Sequence, residues 1–221
     1  MRFDAIVLSG GRSSRLGGSP KHQLVVGGRS LLETTLRAVG GASRTVVVGD
    51  EPLRADIFGA ADAAVPPFFV REEPRFAGPA AAIAAGVAAL AAVAAEDAVF
   101  HGEPAEFTLV VACDMPNVAG AIAALLAEAD SVRDSPSISG FVAADEDGTA
   151  QLLVGLYRTS ALVDAIGQLA EGLVNLSVRR LVSGLELEAV AVPVGSTHDI
   201  DTWADAAEFG VTAAPTEGEP R

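Results

Sequence analysis

Cysteine is nearly absent from this chain. Among 221 residues only Cys113 carries a thiol, so no disulfide can close within it, and the composition suits a reducing compartment. Positive charge is scarce too: 15 Lys and Arg stand against 29 Asp and Glu, a net charge of −14. That balance excludes the basic footprint of a chain that grips a nucleic-acid backbone or an anionic membrane. No apolar segment of signal-peptide type follows Met1-Arg2-Phe3-Asp4, and the longest apolar runs are Ala-rich and interrupted by Gly. Neither a leader nor a membrane span is expected, and the chain reads as cytoplasmic. What it has in abundance is hydrophobic side chains, 50% of the total. One domain over residues 1–210 is expected, followed by a Pro-, Glu- and Gly-rich tail, 211–221, expected to be disordered.

Because cations are few, their clustering carries weight. The run Phe3-Asp4-Ala5-Ile6-Val7-Leu8 is short, apolar and β-branched enough for a buried parallel strand. It leads straight into Ser9-Gly10-Gly11-Arg12-Ser13-Ser14-Arg15-Leu16-Gly17-Gly18-Ser19-Pro20-Lys21. Glycines let backbone amides converge on an anion, and Arg12, Arg15 and Lys21 add fixed positive charge, so the stretch describes a polyphosphate loop at the carboxyl end of a strand. It is neither G-x-G-x-x-G nor G-x-x-x-x-G-K-[ST], which excludes the dinucleotide fingerprint and the P-loop. Its nucleotide-binding positions are read as Leu8, Ser9, Gly10, Gly11, Arg12, Ser13, Gly17 and Lys21.

Further along, Ser30 with Glu33 three residues later forms a capping box for a helix ending at Gly40-Gly41. Thr45-Val46-Val47-Val48-Gly49 and Phe68-Phe69-Val70-Arg71-Glu72 read as strands, and a long Ala-rich helix opens at Gly78-Pro79, where Pro costs nothing and a helix N-terminus favours anions. Phe107 to Ala112 is an unbroken apolar strand that ends in Cys113-Asp114-Met115-Pro116. The Asp114 carboxylate at that sheet edge either holds Mg²⁺ against phosphate oxygens or caps the helix from about Val118. Cys113 reads as a small packing residue, since no nearby His is nominated to activate it. Residues 140–144 and 151–158 read as a hairpin around Asp145-Glu146-Asp147-Gly148, a solvated turn that lacks EF-hand spacing. Helices follow over 160–170 and about 176–182, then a strand over 188–193. Thr202 and Asp205 cap the last helix.

The loop resembles the signature of nucleotidyltransferases that share the fold of the sugar-nucleotide pyrophosphorylases, and Gly10 to Gly17 is most similar to the molybdenum cofactor guanylyltransferases. Val26-Gly27-Gly28-Arg29-Ser30-Leu31-Leu32, Cys113-Asp114-Met115-Pro116, the Gln151 to Arg158 segment and Thr197-His198-Asp199-Ile200-Asp201-Thr202 extend the resemblance over residues 4 to 209. Leu152 stands where that family usually has Pro, Trp203-Ala204 where it has Pro-Glu, and His22 where it has a small residue. The resemblance implies a three-layer α/β Rossmann-like nucleotidyltransferase fold with a mostly parallel central sheet. It implies Mg²⁺ held by Asp114 and Asp199, with Asp201 as the alternative second ligand, and Gly78-Pro79 lying over the nucleotide. Arg15, Lys21 and Asp114 are the implied catalytic residues. Gln151, Arg158 and Arg179 are placed on the acceptor side, although a surface salt bridge for Arg158 and an exposed basic helix for Arg179 remain open. The implied reaction moves a nucleoside monophosphate from an NTP, GTP favoured, to a phosphorylated acceptor, molybdopterin favoured, with pyrophosphate released. The alternatives are a CTP-dependent relative acting on that cofactor or on a sugar phosphate, or a nucleotide-binding module without turnover. Implied partners are these small molecules and proteins of molybdoenzyme maturation.

Overall fold

The first apolar run forms β1 (Phe3–Leu8), buried at every position, because a strand covered on both sheet faces needs no polar alternation. The structure, a computed structural model, describes residues 1–10, 21–49, 66–96, 103–132, 137–169 and 172–211. The other strands are β2 (Val25–Val26), β3 (Arg29–Ser30), β4 (Thr45–Val48), β5 (Phe68–Val70), β6 (Phe107–Ala112), β7 (Gly140–Ala144), β8 (Ala150–Arg158) and β9 (Leu187–Ala191). Seven of them build one sheet in the order β5-β4-β1-β6-β8-β7-β9, with β2 and β3 forming a separate small ribbon. Within the sheet only β8 runs antiparallel to its neighbours. The ribbon turns on Gly27 and Gly28, whose φ values of 57° and 83° suit a type I′ turn.

Side chains alternate across the sheet, so β1 feeds both faces. Phe3, Ala5 and Val7 join Leu109 and Val111 beneath α1 (Leu31–Ala38) and α3 (Ala119–Ser131), which contribute Leu32, Leu36, Ile122 and Leu125. Ile6 and Leu8 face the other way with Val110 and Val142, beneath α2 (Pro79–Glu96), α4 (Thr159–Gln168) and α5 (Val178–Leu181). The result is the expected three layers. α2 is long and apolar enough to cross a membrane by length and composition, with mean hydropathy 1.7. In the fold its Ala80, Ile83, Gly86 and Leu90 are buried. The run is Ala-rich and contains Gly86, which faces the Ile6 side chain.

A third, smaller core decides where the site lies. Leu24, Leu31, Ile200 and Ala206 pack together, joining the single turn of 3₁₀ helix Lys21–Gln23, the start of α1, the 199–201 segment and α6 (Trp203–Glu208). Capping is as the sequence predicts: the Ser30 hydroxyl accepts from the Glu33 amide, and the Thr202 hydroxyl from the Asp205 amide, with both reciprocal bonds formed. α5 is shorter than expected, Val178–Leu181, because Ser177 caps it and the residues before it make a loop. β9 likewise ends at Ala191. α3 begins at Ala119 with no side-chain cap, so the alternative that Asp114 caps this helix is not what forms.

Two outcomes test this packing. A Cβ on Gly86 would sit 2.7 Å from Ile6 Cγ2, whereas one on exposed Gly167 would meet nothing within 4 Å. Overpacking costs about 1–3 kcal/mol against a helix-propensity gain of about 1 kcal/mol. In urea unfolding Gly86→Ala should therefore lose stability and Gly167→Ala should gain it. Cys113 is 4% exposed, and burial, with the Asp114 charge next, pushes its thiol well above the usual range. It should resist a disulfide-exchange reagent at pH 8 in the native protein and react fully once unfolded.

Candidate functional site

Three segments meet beyond the carboxyl ends of β1 and β6. Residue 114 arrives there because the Cys113 amide donates to Leu8 O at 3.0 Å, which continues the β1–β6 pairing past the strands. The 199–201 segment is brought to it by Ile200, whose amide donates to Asp114 O at 3.0 Å and whose side chain is fully buried in the small third core. With Ile200 turned inward, Asp199 and Asp201 lie beside Asp114, and one carboxylate oxygen from each of the three falls within 4.8 Å of the others. The 3₁₀ turn adds Lys21, whose Nζ donates to Asp114 Oδ2 at 3.0 Å and to Asp201 Oδ1. Leu24 fixes that turn: its amide donates to Lys21 O, and its own carbonyl accepts from Leu31.

The electrostatics follow from the crowding. Burial pushes the Asp199 carboxyl above its ordinary range, and the neighbouring Asp114 and Asp201 charges push it further. Burial alone would lower Lys21. Its hydrogen bonds to Asp201 and Asp114, with their charges, outweigh that and hold the ammonium more basic than usual. Among the described residues the cluster thus holds one positive charge with three carboxylates and has oxygen ligands for a hard divalent cation, which takes one or two carboxylates and leaves its other positions to water and phosphate.

Beside the cluster lies an open cleft of about 460 Å³, lined by Asp114, Asp199, Gln151 and His198. Its far wall is the β7–β8 turn. Asp145 organises that turn by accepting from the Asp147 and Thr149 amides and from Gln151 Nε2 at 3.0 Å, and the Thr149 bond above all holds its carboxyl below the ordinary range. Glu146 accepts from the Gly195 amide at 2.8 Å and faces His198 Nε2 at 3.6 Å, which ties the turn to the loop before Asp199. Sequence reasoning treated Asp145-Glu146-Asp147 as a solvated turn. It is exposed, and it also forms a wall of the cleft, a placement set by strand pairing that no local motif signals.

The expected site residues separate into groups. Gly11, Arg12, Ser13, Arg15 and Gly17, with the rest of 11–20, lie outside the described residues. Leu8 and Ser9 end β1, and the Ser9 hydroxyl donates to Val48 O at 3.2 Å, a bond that holds β1 to β4. A Cβ on Gly10 would meet none of the described residues within 4 Å. Gly78 has φ +94°, a backbone conformation that favours glycine, so this turn before Pro79 requires it; a Cβ there would only touch Asn175 Cα at 3.4 Å. Gln151 lies in the cleft, and Lys21, Asp114, Asp199 and Asp201 form the cluster. Arg179 is exposed on α5, after a loop whose Asn175 amide donates to Ala77 O. Arg158 is not on the acceptor side. β8 runs antiparallel, so its last residue pairs with Phe107 at the opposite edge of the sheet. There Arg158 bonds Ile138 O and Glu106 and lies over the Phe107 ring, which fits the salt-bridge alternative.

Known proteins share this arrangement of strands. The molybdopterin-guanine dinucleotide biosynthesis protein A of Archaeoglobus fulgidus is 19% identical, with TM-score 0.64 over 93% of this chain and 96% of that one. Rv0371c of Mycobacterium tuberculosis is 23% identical, with TM-score 0.66 over 95% and 97%. The 2-C-methyl-D-erythritol 4-phosphate cytidylyltransferase of Thermus thermophilus is 21% identical, with TM-score 0.57 over 95% and 100%. At these identities the likeness establishes the fold. No curated protein matches. The sequence profile of the MobA-like NTP transferase domain matches residues 5–190, which includes Lys21 and Asp114 and stops short of Asp199 and Asp201. The match takes in most of the chain, with five of the seven strands of the sheet in full and most of the other two, so this protein belongs to the MobA-like NTP transferase domain family and is a nucleotidyltransferase.

Proposed function

We propose that residues 1–210 form a Mg²⁺-dependent transferase that moves a nucleoside monophosphate from GTP to a phosphorylated, molybdopterin-type acceptor and releases pyrophosphate, in a cytoplasmic setting. The observation that carries this reading is the Lys21–Asp114–Asp201 contact, which puts the last residue of the Gly-rich loop against the carboxylates at the β6 edge. The Gly10-Gly11-Arg12-Ser13-Ser14-Arg15-Leu16-Gly17 signature favours the guanylyl branch. The acceptor reading is supported by the cleft wall, rich in carboxylates and carrying the Gln151 amide, which complements a ring that presents N–H donors, as the aminopyrimidinone edge of a pterin does.

In the reaction an acceptor phosphate oxygen attacks the α-phosphorus in line, a new P–O bond forms, and the bond to the β-phosphate oxygen breaks. The acceptor oxygen is already ionised, so no general base is required. Lys21 holds positive charge against the triphosphate, aided by the amides around Gly10 and by Arg15, and this stabilises charge as it shifts to the leaving pyrophosphate. Asp201 positions Lys21 through their ion pair. Asp114 and Asp199, with Asp201 adjacent, would hold the metal ion, because a cluster that already accommodates one cation has the donor set a second needs. When bound, Mg²⁺ supplies charge neutralisation and orientation of phosphate oxygens.

Three outcomes test this. Lys21→Ala should lower kcat for pyrophosphate release by about 10²–10³-fold, or about 2–4 kcal/mol, the scale of one deleted anion-stabilising donor; near-normal turnover overturns the role. Lys21→Met leaves three carboxylates without their ammonium, so its Tm without divalent ions should fall below wild type, and added Mg²⁺ should raise it by more than it raises the wild type. Among GTP, CTP, ATP and UTP, each with and without Mg²⁺, GTP with Mg²⁺ should give the largest Tm increase. A CTP preference moves the assignment to a cytidylyl relative with the same mechanism, and no response to any nucleotide overturns the proposal.

A further inference from the structure

The β7–β8 turn walls the cleft, and one side chain fixes what that wall offers a ligand. Asp145 Oδ1 accepts from the Asp147 amide at 3.0 Å and from the Thr149 amide at 2.8 Å, while the Asp145 backbone closes the same turn with Thr149 O and the Gly148 amide. Anchored at Oδ1, the carboxylate holds Oδ2 against Gln151 Nε2 at 3.0 Å. These bonds, the Thr149 amide above all, keep the Asp145 carboxyl below its ordinary range, so at neutral pH it carries no proton and can only accept. The Gln151 amide therefore has one orientation, with its NH₂ toward Asp145. Its Oε1 takes no hydrogen bond from the described residues and is not closed to solvent, and Gln151 lines the cleft.

The strand around Gln151 is braced as well. The β7–β8 register shifts between Val142 and Ala143, so Gly155 faces Val142 while Gln151 faces Ala143, the kind of irregularity that re-aims a side chain beside a site. Tyr157 Oη donates to Leu152 O at 2.7 Å within this stretch. Gly155 permits that contact, since a Cβ there would lie 2.6 Å from the Tyr157 ring.

We propose that Asp145 is a positioning residue for acceptor specificity: it presents Gln151 Oε1 to the cleft as a fixed hydrogen-bond acceptor, which selects a ring carrying an amino group over one carrying a carbonyl oxygen at that place. This role rests on the cleft being the acceptor site. A carbonyl oxygen set against Oε1 would bring two acceptors face to face, a mismatch that a site built for a donor rejects. Of the carboxylates on the same wall, Glu146 is engaged by the Gly195 amide and faces His198, and Asp147 is exposed. Half-buried Leu153 and Phe209 give a flat ring apolar surface in the same cleft.

The test is a fluorescence titration of the full chain with pterin and with lumazine, the same bicycle with the 2-amino group replaced by a carbonyl oxygen. Wild type should bind pterin more tightly by about tenfold, the scale of one hydrogen bond gained or lost. Asp145→Asn keeps an oxygen for the Asp147 and Thr149 amides and sets an NH₂ against Gln151, so the Gln151 amide turns over and offers a donor to the cleft. The preference should then fall to parity or reverse, with Tm close to wild type. Combining Asp145→Asn with Gln151→Glu exchanges amide and carboxylate, returns an acceptor to the cleft and should restore the preference, a rescue that mere loosening of the turn would not give. Gln151→Met, which leaves the backbone bonds of Asp145 in place, should abolish it. No saturable pterin binding by wild type, equal affinity for the two rings, or a preference unchanged in Asp145→Asn or in Gln151→Met would each overturn the role. If Mg²⁺-dependent stabilisation by GTP persists beside such a result, the transferase reading stands and only the role of Asp145 falls.

Discussion

Three carboxylates held within 4.8 Å of one another repel, and they stand together only because positive charge is placed among them. In this chain that charge is the Lys21 ammonium, bonded at once to Asp114 and Asp201. With three carboxylates against one ammonium among the described residues, the cluster still offers the oxygen donors that a hard divalent cation takes. In a chain of net charge −14, each cation so placed counts for more than its number.

The contact is delivered by hydrophobic packing. Asp114 is fixed by the register of β6 against β1, whereas Lys21 and Asp199–Asp201 come from segments far apart in sequence that meet through Leu24, Leu31, Ile200 and Ala206. This small core sets the distance between Lys21 and the acids. The capped ends of α1 and α6 flank it, so two capping boxes brace the cluster at the cost of only a few polar residues.

The two edges of the sheet present different chemistry. The carboxyl edge of the parallel strands gathers charge, as open α/β sheets do at their binding sites. At the other edge the same strands end in paired charges, Asp4 with Arg44 and Arg158 with Glu106, set against apolar helix walls. The antiparallel β8 accounts for the one misplaced expectation. In a strand running with its neighbours, Arg158 would reach the transfer site, but reversal carries it to the far edge.

The sequence by itself determined the strands, most helices, their caps, and the candidacy of Lys21, Asp114 and Asp199. Most of these depend on local patterns: apolar runs for buried strands, Ser or Thr three residues before an acid for helix starts, and a glycine-rich basic loop after a strand; Asp199 was nominated by the resemblance of its segment to the family's closing motif. Tertiary structure decided what lies across from what. Asp199 and Asp201 both flank buried Ile200 and both lie in the carboxylate cluster, a grouping no local motif announces. The Asp145 to Asp147 turn became a cleft wall, and Asp4, unremarkable within an apolar run, became a buried carboxylate paired with Arg44. The physical reason is that propensity and capping act over a few residues, whereas charge proximity and burial arise only when strand order and helix packing bring distant segments together.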